Sequence, residues 1–313
     1  MKLQFSVVAS KMCEHFMNAL SNIVEMTTHH FGGSWTDEKL ERLRRYLVAY
    51  TIALKNQPFK KLYIDAFAGT GHRQHSDPTS QMPLDFPELE GLAKGSAATA
   101  LEVEPGFDSF IFIEKHKARF HELEKLAHAY SAKRTAMTFL QADANSALTS
   151  ICSDTDWKRN RAVLFLDPYG AQVHWRTLQK VAATKAVDTW ILFPAGMVID
   201  RLTPKDGRVP SSWRDVLDRV LGTDSWRTAF YSEMPTQADW IDGLTSGVAK
   251  SANAAVIERF FLERLSSIFA GVGTRGLPLR NSRGYLMYLL CFACGNPRGA
   301  RIALKIADHI LKD

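Results

Sequence analysis

The sequence predicts an α/β fold: a doubly wound, mostly parallel sheet that closes with an antiparallel C-terminal hairpin and carries a helical insertion. Three observations carry that prediction. Short β-rich runs alternate with helical stretches from about residue 60 to 194. The runs at 109–114, 161–167 and 187–194 are almost continuously apolar, as expected when helices cover both faces of a parallel sheet. The segment LPLR–NSRG–YLMYLLCFAC (277–294) reads as two strands joined by a tight turn, with Gly284 available for a positive φ.

Residues 1–35 read as an N-terminal extension. Phe16, Leu20, Ile23 and Val24 share a weakly helical face, HHFGGSW breaks it, and Met26 just before the break offers a second start. A firm helix follows. Thr36 can cap it, Asp37 and Glu38 suit its positive end, and Leu40, Leu43, Leu47 and Leu54 recur at helical spacing. Arg42, Arg44 and Arg45 fit a solvated face better than a phosphate-binding patch. KLYIDAF is a strand ending at Asp65, with a glycine turn behind it and a long polar loop over 72–94. Ser96 is the expected cap of a short helix, SAATALEV.

Strand and helix then alternate: strand 109–114, helix 116–130, strand 135–143, short helix 145–151, strand 161–167, helix 174–184, strand 187–194. Right-handed crossovers make this a doubly wound sheet. Residues 205–270 interrupt the rhythm as a helical insertion or cap. Trp213, Trp226 and Trp240 are its expected anchors and 252–269 its strongest helix. The α/β domain therefore comprises 36–204 and 271–313, closed by a helix whose Ile302, Ile306 and Ile310 are expected on one side.

The chain has 313 residues, 46% hydrophobic and 23% charged, a composition that excludes wholesale disorder. A net charge of +6 permits contact with a polyanion, but the excess is spread along the chain. No apolar run reaches the roughly 18 residues of a membrane span. Lys11 and Glu14 interrupt what a signal peptide would keep apolar, and four cysteines fit a reducing cytoplasm.

The chemistry concentrates at strand ends. Asp65-Ala66-Phe67-Ala68-Gly69-Thr70-Gly71 follows the first strand, where open α/β sheets bind ligands and a Gly-x-Gly turn lets backbone approach one closely. A dinucleotide fingerprint would need glycine where Gln74 stands, and an acid about 20 residues on; the next strand-end acid, Glu114, comes 43 residues after Gly71. S-adenosylmethionine fits better. Glu114 can accept both ribose hydroxyls and Asp143 can meet the adenine amine beside Ala144. Asp65, Phe67, Ala68, Gly69 and Gly71 surround the methionine part. Each acid alone has an ordinary reading as a helix cap or loop residue.

The fourth strand ends in Asp167-Pro168-Tyr169-Gly170. The Asp167 carboxylate and the Pro168 carbonyl can accept the N–H groups of an exocyclic amine, and Tyr169 can stack on a displaced base. These three are the candidate catalytic residues. Cys291 and Cys294 lie three apart in a strand, on opposite faces, so they read as core cysteines and no metal is expected. His29, His30, His72 and His75 read as loop histidines. Arg298, Arg301 and Lys305 read as a solvated or basic rim.

DAFAGTG and DPYG together resemble the Rossmann-type S-adenosylmethionine-dependent methyltransferases. HHFGGSWTDEKLERLRRYLVAY, YIDAFAGTG, GSAATAL, FIFIEKH, LFLDPYG, ILFPAGMVIDRL and the closing GYLMYLL…NPRG narrow the resemblance to the bacterial three-Cys-motif partner proteins. The resemblance implies a class I methyltransferase type of sheet. It also implies pairing with a separate three-cysteine-motif protein, similar to radical S-adenosylmethionine proteins and carried on phages and mobile elements. D-P-Y-G departs from the D-P-P-Y of DNA amino-methyltransferases and lies nearer the D-P-F-G of some tRNA guanine-N2 methyltransferases, which weighs against a DNA adenine and leaves RNA open; the expected partner polymer is RNA or DNA. The expected activity is N-methylation of a nucleic acid or nucleotide base. The rival expectation is a cofactor-binding regulatory subunit of the three-cysteine protein.

Overall fold

The computed structural model describes residues 35–69, 95–234 and 247–312. The expectations for 1–34, for the 72–94 loop, and for Gly71, His72, His75 and Trp240 lie outside them. The fold opens with helix α1 (Trp35–Ala53) and strand β1 (Lys60–Asp65). Thr36 falls inside the helix and is buried, so it is not the cap. Leu43, Tyr46 and Leu47 form the buried stripe of α1. Arg42 joins neither a solvated face nor a phosphate patch. It is 8% exposed, and its Nη1 donates to the Ile310 carbonyl at 2.7 Å, tying the first helix to the last.

The alternation expected from the sequence follows. Helix α2 (Ser96–Leu101) leads to β2 (Ser109–Ile113), and α3 (Lys117–Glu124) and α4 (Leu126–Ala129) lead to β3 (Met137–Leu140). Helix α5 (Ala144–Asp154) leads to β4 (Asn160–Leu166), and α6 (Trp175–Ala183) leads to β5 (Val187–Phe193). The predicted 116–130 helix is thus two pieces, followed by a 3₁₀ segment over Ser131–Ala136 that shortens the predicted 135–143 strand. Ser96 is the first residue of α2 and Gly95 holds the cap position, because the Ser96 hydroxyl bonds Asp65 instead.

The sheet runs β3-β2-β1-β4-β5, all parallel. Strand β10 (Leu286–Cys294) pairs antiparallel with β5, and β8 (Gly271–Val272) and β9 (Leu277–Arg280) both pair with β10. The order reverses between β1 and β4, the switch point at which such sheets open a crevice. Every residue of β5 is buried, and so are the last five of β4, which accounts for text that is apolar apart from Asp188 and Thr189. The predicted doubly wound, mostly parallel sheet with an antiparallel C-terminal edge is the architecture found. The C-terminal hairpin is present, with Gly284 at φ +78°.

Behind β5, a π-helical turn (Ala195–Asp200) leads into the insertion. It is helical in α7 (Ser211–Leu221), α8 (Trp226–Phe230) and α9 (Ala254–Ser266), but it also holds a two-stranded sheet, β6 (Tyr231–Met234) with β7 (Gly247–Lys250). Phe261 of α9 stacks on Phe193 of β5 with ring centroids 3.7 Å apart, so the insertion shares the main core. Trp226 is the anchor expected, fully buried with its indole donating to Asp218 at 2.6 Å. Trp213 is not; it is exposed. In the closing helix α10 (Ala300–Ile310), Ile306 and Ile310 are buried while Ile302 lies in solvent. Ala300 and Ala303 take the core face in the first turn, and a spacing of four drifts by about 40° each time, so 302 lies round the helix from 310. Cys291 and Cys294 are buried core residues, as read, and no metal-binding cluster occurs among the described residues. No helix among them is long and apolar enough to cross a membrane.

Candidate functional site

Register brings the predicted acids to one edge. Asp65 pairs with Phe112 of β2 and Phe165 of β4, so Glu114 and Asp167 each stand two residues beyond Asp65, on either side of it. Beyond the paired ends, Ala66 N donates to the Phe165 carbonyl (3.2 Å), Ala68 N to Ile113 (3.0 Å) and Glu114 N to Leu140 (3.1 Å). The strand ends are therefore stitched to one another before their side chains are considered. Asp143 lies three residues past Leu140 at the same edge, as N-cap of α5.

The four acids step from floor to rim. Asp65 is fully buried. Its Oδ1 accepts from Phe67 N (3.2 Å), and Tyr63 donates its hydroxyl to Oδ2 (3.4 Å). Burial pushes its carboxyl up to about 6, against the pull of the Ser96 and Phe67 hydrogen bonds; the negative Asp167 adds to the rise and Lys39 opposes it. Glu114 is 7% exposed; its Oε1 accepts from His116 N at 2.7 Å and lies 3.9 Å from the Arg119 guanidinium. A carboxylate with one N–H engaged keeps lone pairs for two further donors. Asp143 caps α5 through Asn145 N (3.0 Å) and Ser146 N (3.4 Å). Desolvation raises its carboxyl, but these bonds and Lys115, 3.6 Å away, together outweigh that and hold it below the usual range. The ordinary reading of Asp143 as a cap is thus realised; its Oδ2 faces Lys115.

Asp167, a quarter exposed at its side chain, forms an ion pair with Lys39 of α1. Pro168 is buried, and Tyr169 stands 52% exposed with its N donating to Gln172 Oε1 at 3.0 Å. Gly69 takes φ +60° with open space where a Cβ would be, so its turn needs glycine for the backbone angle. Phe67 and Ala68 form the first part of that turn, and Ala144 opens α5.

Two residues absent from the sequence reading complete the site. Lys39 is 1% exposed, and its ammonium pairs with Asp167 and pulls the Asp65 carboxyl down. It sits four residues before Leu43 and eight before Leu47, on the apolar stripe of α1. A lysine on a buried stripe is the signal that marks it. Asn145 is the second. Its Oδ1 accepts from His174 N (3.0 Å) and the Thr177 hydroxyl (2.8 Å), and its Nδ2 donates to the Gln172 carbonyl (2.9 Å). One side chain beside Asp143 thereby fixes the chain that follows Tyr169.

No family model and no curated protein matches the sequence. Solved structures do. A Legionella pneumophila protein shares 16% identity at a TM-score of 0.36, covering 76% of this chain and 94% of its own. The N-terminal domain of EvdMO1, crystallised with S-adenosylhomocysteine and D-fucose, shares 12% at 0.36, covering 89% and 96%. Magnesium protoporphyrin IX methyltransferase from Synechocystis, with bound S-adenosylhomocysteine, shares 14% at 0.34, covering 82% and 83%. The fold assignment rests on the strand order and register themselves.

Proposed function

We propose that this chain is an S-adenosylmethionine-dependent methyltransferase that acts on an exocyclic amino nitrogen of a nucleic acid or nucleotide base. The observation that carries the reading is the register: it places Asp65, Glu114 and Asp167 side by side at the switch point, with Asp143 next along the same edge. The residues present fit that cofactor. Asp65 offers a buried carboxyl, and the Phe67–Gly69 turn offers backbone with space at the glycine. Glu114 has lone pairs to spare for a vicinal diol, and Asp143 meets an adenine amine with the oxygen that does not cap α5. When bound, the cofactor supplies a sulfonium methyl that is already a strong electrophile, so the protein contributes mostly positioning.

Asp167 and the Pro168 carbonyl accept the N–H groups of the acceptor amine and leave its lone pair free for attack, while Tyr169, half in solvent, stacks on the base. Lys39 forms an ion pair with Asp167 from the α1 side, which fixes the carboxylate at the end of β4. A three-cysteine-motif protein, the partner that the sequence resemblance implies, belongs to the same proposal, as does a cytoplasmic setting. The test is Asp167→Ala, which is expected to keep S-adenosylhomocysteine binding by calorimetry and lose label transfer from methyl-labelled cofactor into cell RNA or DNA. Equal turnover by wild type and variant removes Asp167 from the mechanism. Tight binding with no label in any pool shifts the reading to the regulatory subunit.

A further inference from the structure

The structure assigns the β9–β10 hairpin tip, through Arg280, Arg283 and Tyr285, as a docking arm for a single-stranded nucleic acid at the mouth of the site; the assignment rests on the function proposed above. The placement follows from register. Leu289 of β10 pairs with Phe193 at the carboxyl end of β5, and the strands are antiparallel. The start of β10 and the tip before it therefore project from the edge that carries Asp65 and Asp167. Strands β4, β5 and β10 are successive neighbours, so the root of the hairpin lies about 10 Å across the sheet from the Asp167–Tyr169 end of β4.

The arm is fixed in place. At its root, Gly196 comes so close to β10 that a Cβ there would meet the Leu286 carbonyl oxygen at 1.8 Å. At its tip, Asn281 Oδ1 accepts from Arg283 N (3.1 Å) and Tyr285 N (3.0 Å), Asn281 N donates to the Tyr285 carbonyl (3.0 Å), and Gly284 turns at φ +78°. Arg280 Nη1 braces the turn through the Gly284 carbonyl at 3.0 Å. This bracing holds Tyr285 outward. It is 69% exposed, with Tyr169 at 52% on the same edge.

Charge and ring identify the occupant. Between Glu263 and Asp308 the sequence contains no carboxylate but seven lysines and arginines, and the tip presents two of these arginines in solvent. An ordered aromatic flanked by guanidinium groups suits unstacked bases and their phosphates, and it loses little entropy on binding. Two exposed tyrosines on one edge, one beside the candidate catalytic carboxylate and one on the arm, suit a strand that lays one base over the site and a neighbouring base on Tyr285.

The test uses the full chain and a fluorescein-labelled 20-nucleotide single strand, made as RNA and as DNA, with anisotropy read across a salt series. Tyr285→Ala is expected to weaken binding about 10-fold. Arg283→Gln, which leaves the Arg280 brace in place, is expected to flatten the slope of log affinity against log salt by about 0.7, the value of one lost phosphate contact. S-adenosylhomocysteine affinity and melting temperature stay as in wild type, and the tighter of the two strands names the polymer. Wild-type affinity in both variants, while labelled methyl still enters nucleic acid, overturns the arm and leaves the proposed function standing. Label that enters only polypeptide overturns the nucleic acid reading and the arm with it.

Discussion

Replacing Lys39 by methionine tests whether the ion pair, rather than the packing, holds the switch point together. Methionine is close to lysine in volume, so the change removes a charge and opens little cavity. The Lys39 side chain is 2% exposed and that of Asp167 25%. Removing one partner of a buried pair costs about 3–5 kcal/mol, and the partial access of Asp167 to water places this case near about 3 kcal/mol at pH 8. The loss carries a pH signature. Asp65 already stands at about 6, and Lys39 is one of the influences holding it down. Without that cation its carboxyl rises further, so the folded variant takes up a proton more readily than the folded wild type. The deficit must therefore shrink as pH falls. For one further unit of rise it shrinks by about 1.4 kcal/mol, leaving about 2 kcal/mol at pH 5. Urea unfolding of wild type and variant at pH 5 and pH 8 reads this directly, and a cycle with Asp167→Asn is expected to show coupling of about 2 kcal/mol. A deficit that does not change with pH, or additive single variants, would refute the electrostatic account and leave Lys39 a space-filler.

Two more outcomes follow from hydrogen-bonded polar side chains, one at the far end of β5 and one beside the site. Asp188, at the opposite end of β5, accepts from the Tyr46 hydroxyl at 2.8 Å and bonds Cys294; burial pushes its carboxyl up to about 6 against those hydrogen bonds and the nearby Arg161. Because the folded value exceeds the unfolded one, the folded state holds the extra proton between about pH 4 and 6, and Asp188 lowers stability as pH rises through that window. Asp188→Asn is expected to flatten the decline by about 3 kcal/mol in urea titrations from pH 4 to 7, and an unchanged pH profile counts against the shift. Asn145→Ala removes three hydrogen bonds that hold residues 172–177 and is expected to cost about 3 kcal/mol, whereas Asn145→Asp keeps both acceptor contacts and costs less; equal losses in the two variants would show that the oxygen contributes nothing.

What the sequence made legible and what it hid differ by how far each signal reaches along the chain. The strands were legible because β4 and β5 must be apolar on both faces, and that demand is written in consecutive residues. The strand-end acids were legible for a related reason: an acid that closes an apolar run has only the sheet edge to occupy, and parallel pairing aligns such edges. Helix starts were misread where a side chain had a better partner elsewhere. Thr36 and Ser96 have the chemistry of caps, yet Thr36 lies buried within α1 and Ser96 serves Asp65 across the loop. Arg42 and Lys39 were hidden more deeply, because their partners, Ile310 and Asp167, lie 268 and 128 residues away. Their positions were still marked. Both fall on or beside the Leu43–Leu47 stripe, and a cation there must either break the helix face or find an anion or carbonyl in the core. Read that way, a charged residue out of phase with its helix points to a long-range partner. In this chain one such partner is the Asp167 carboxylate at the sheet edge, so α1 belongs to the candidate site as well as to the packing.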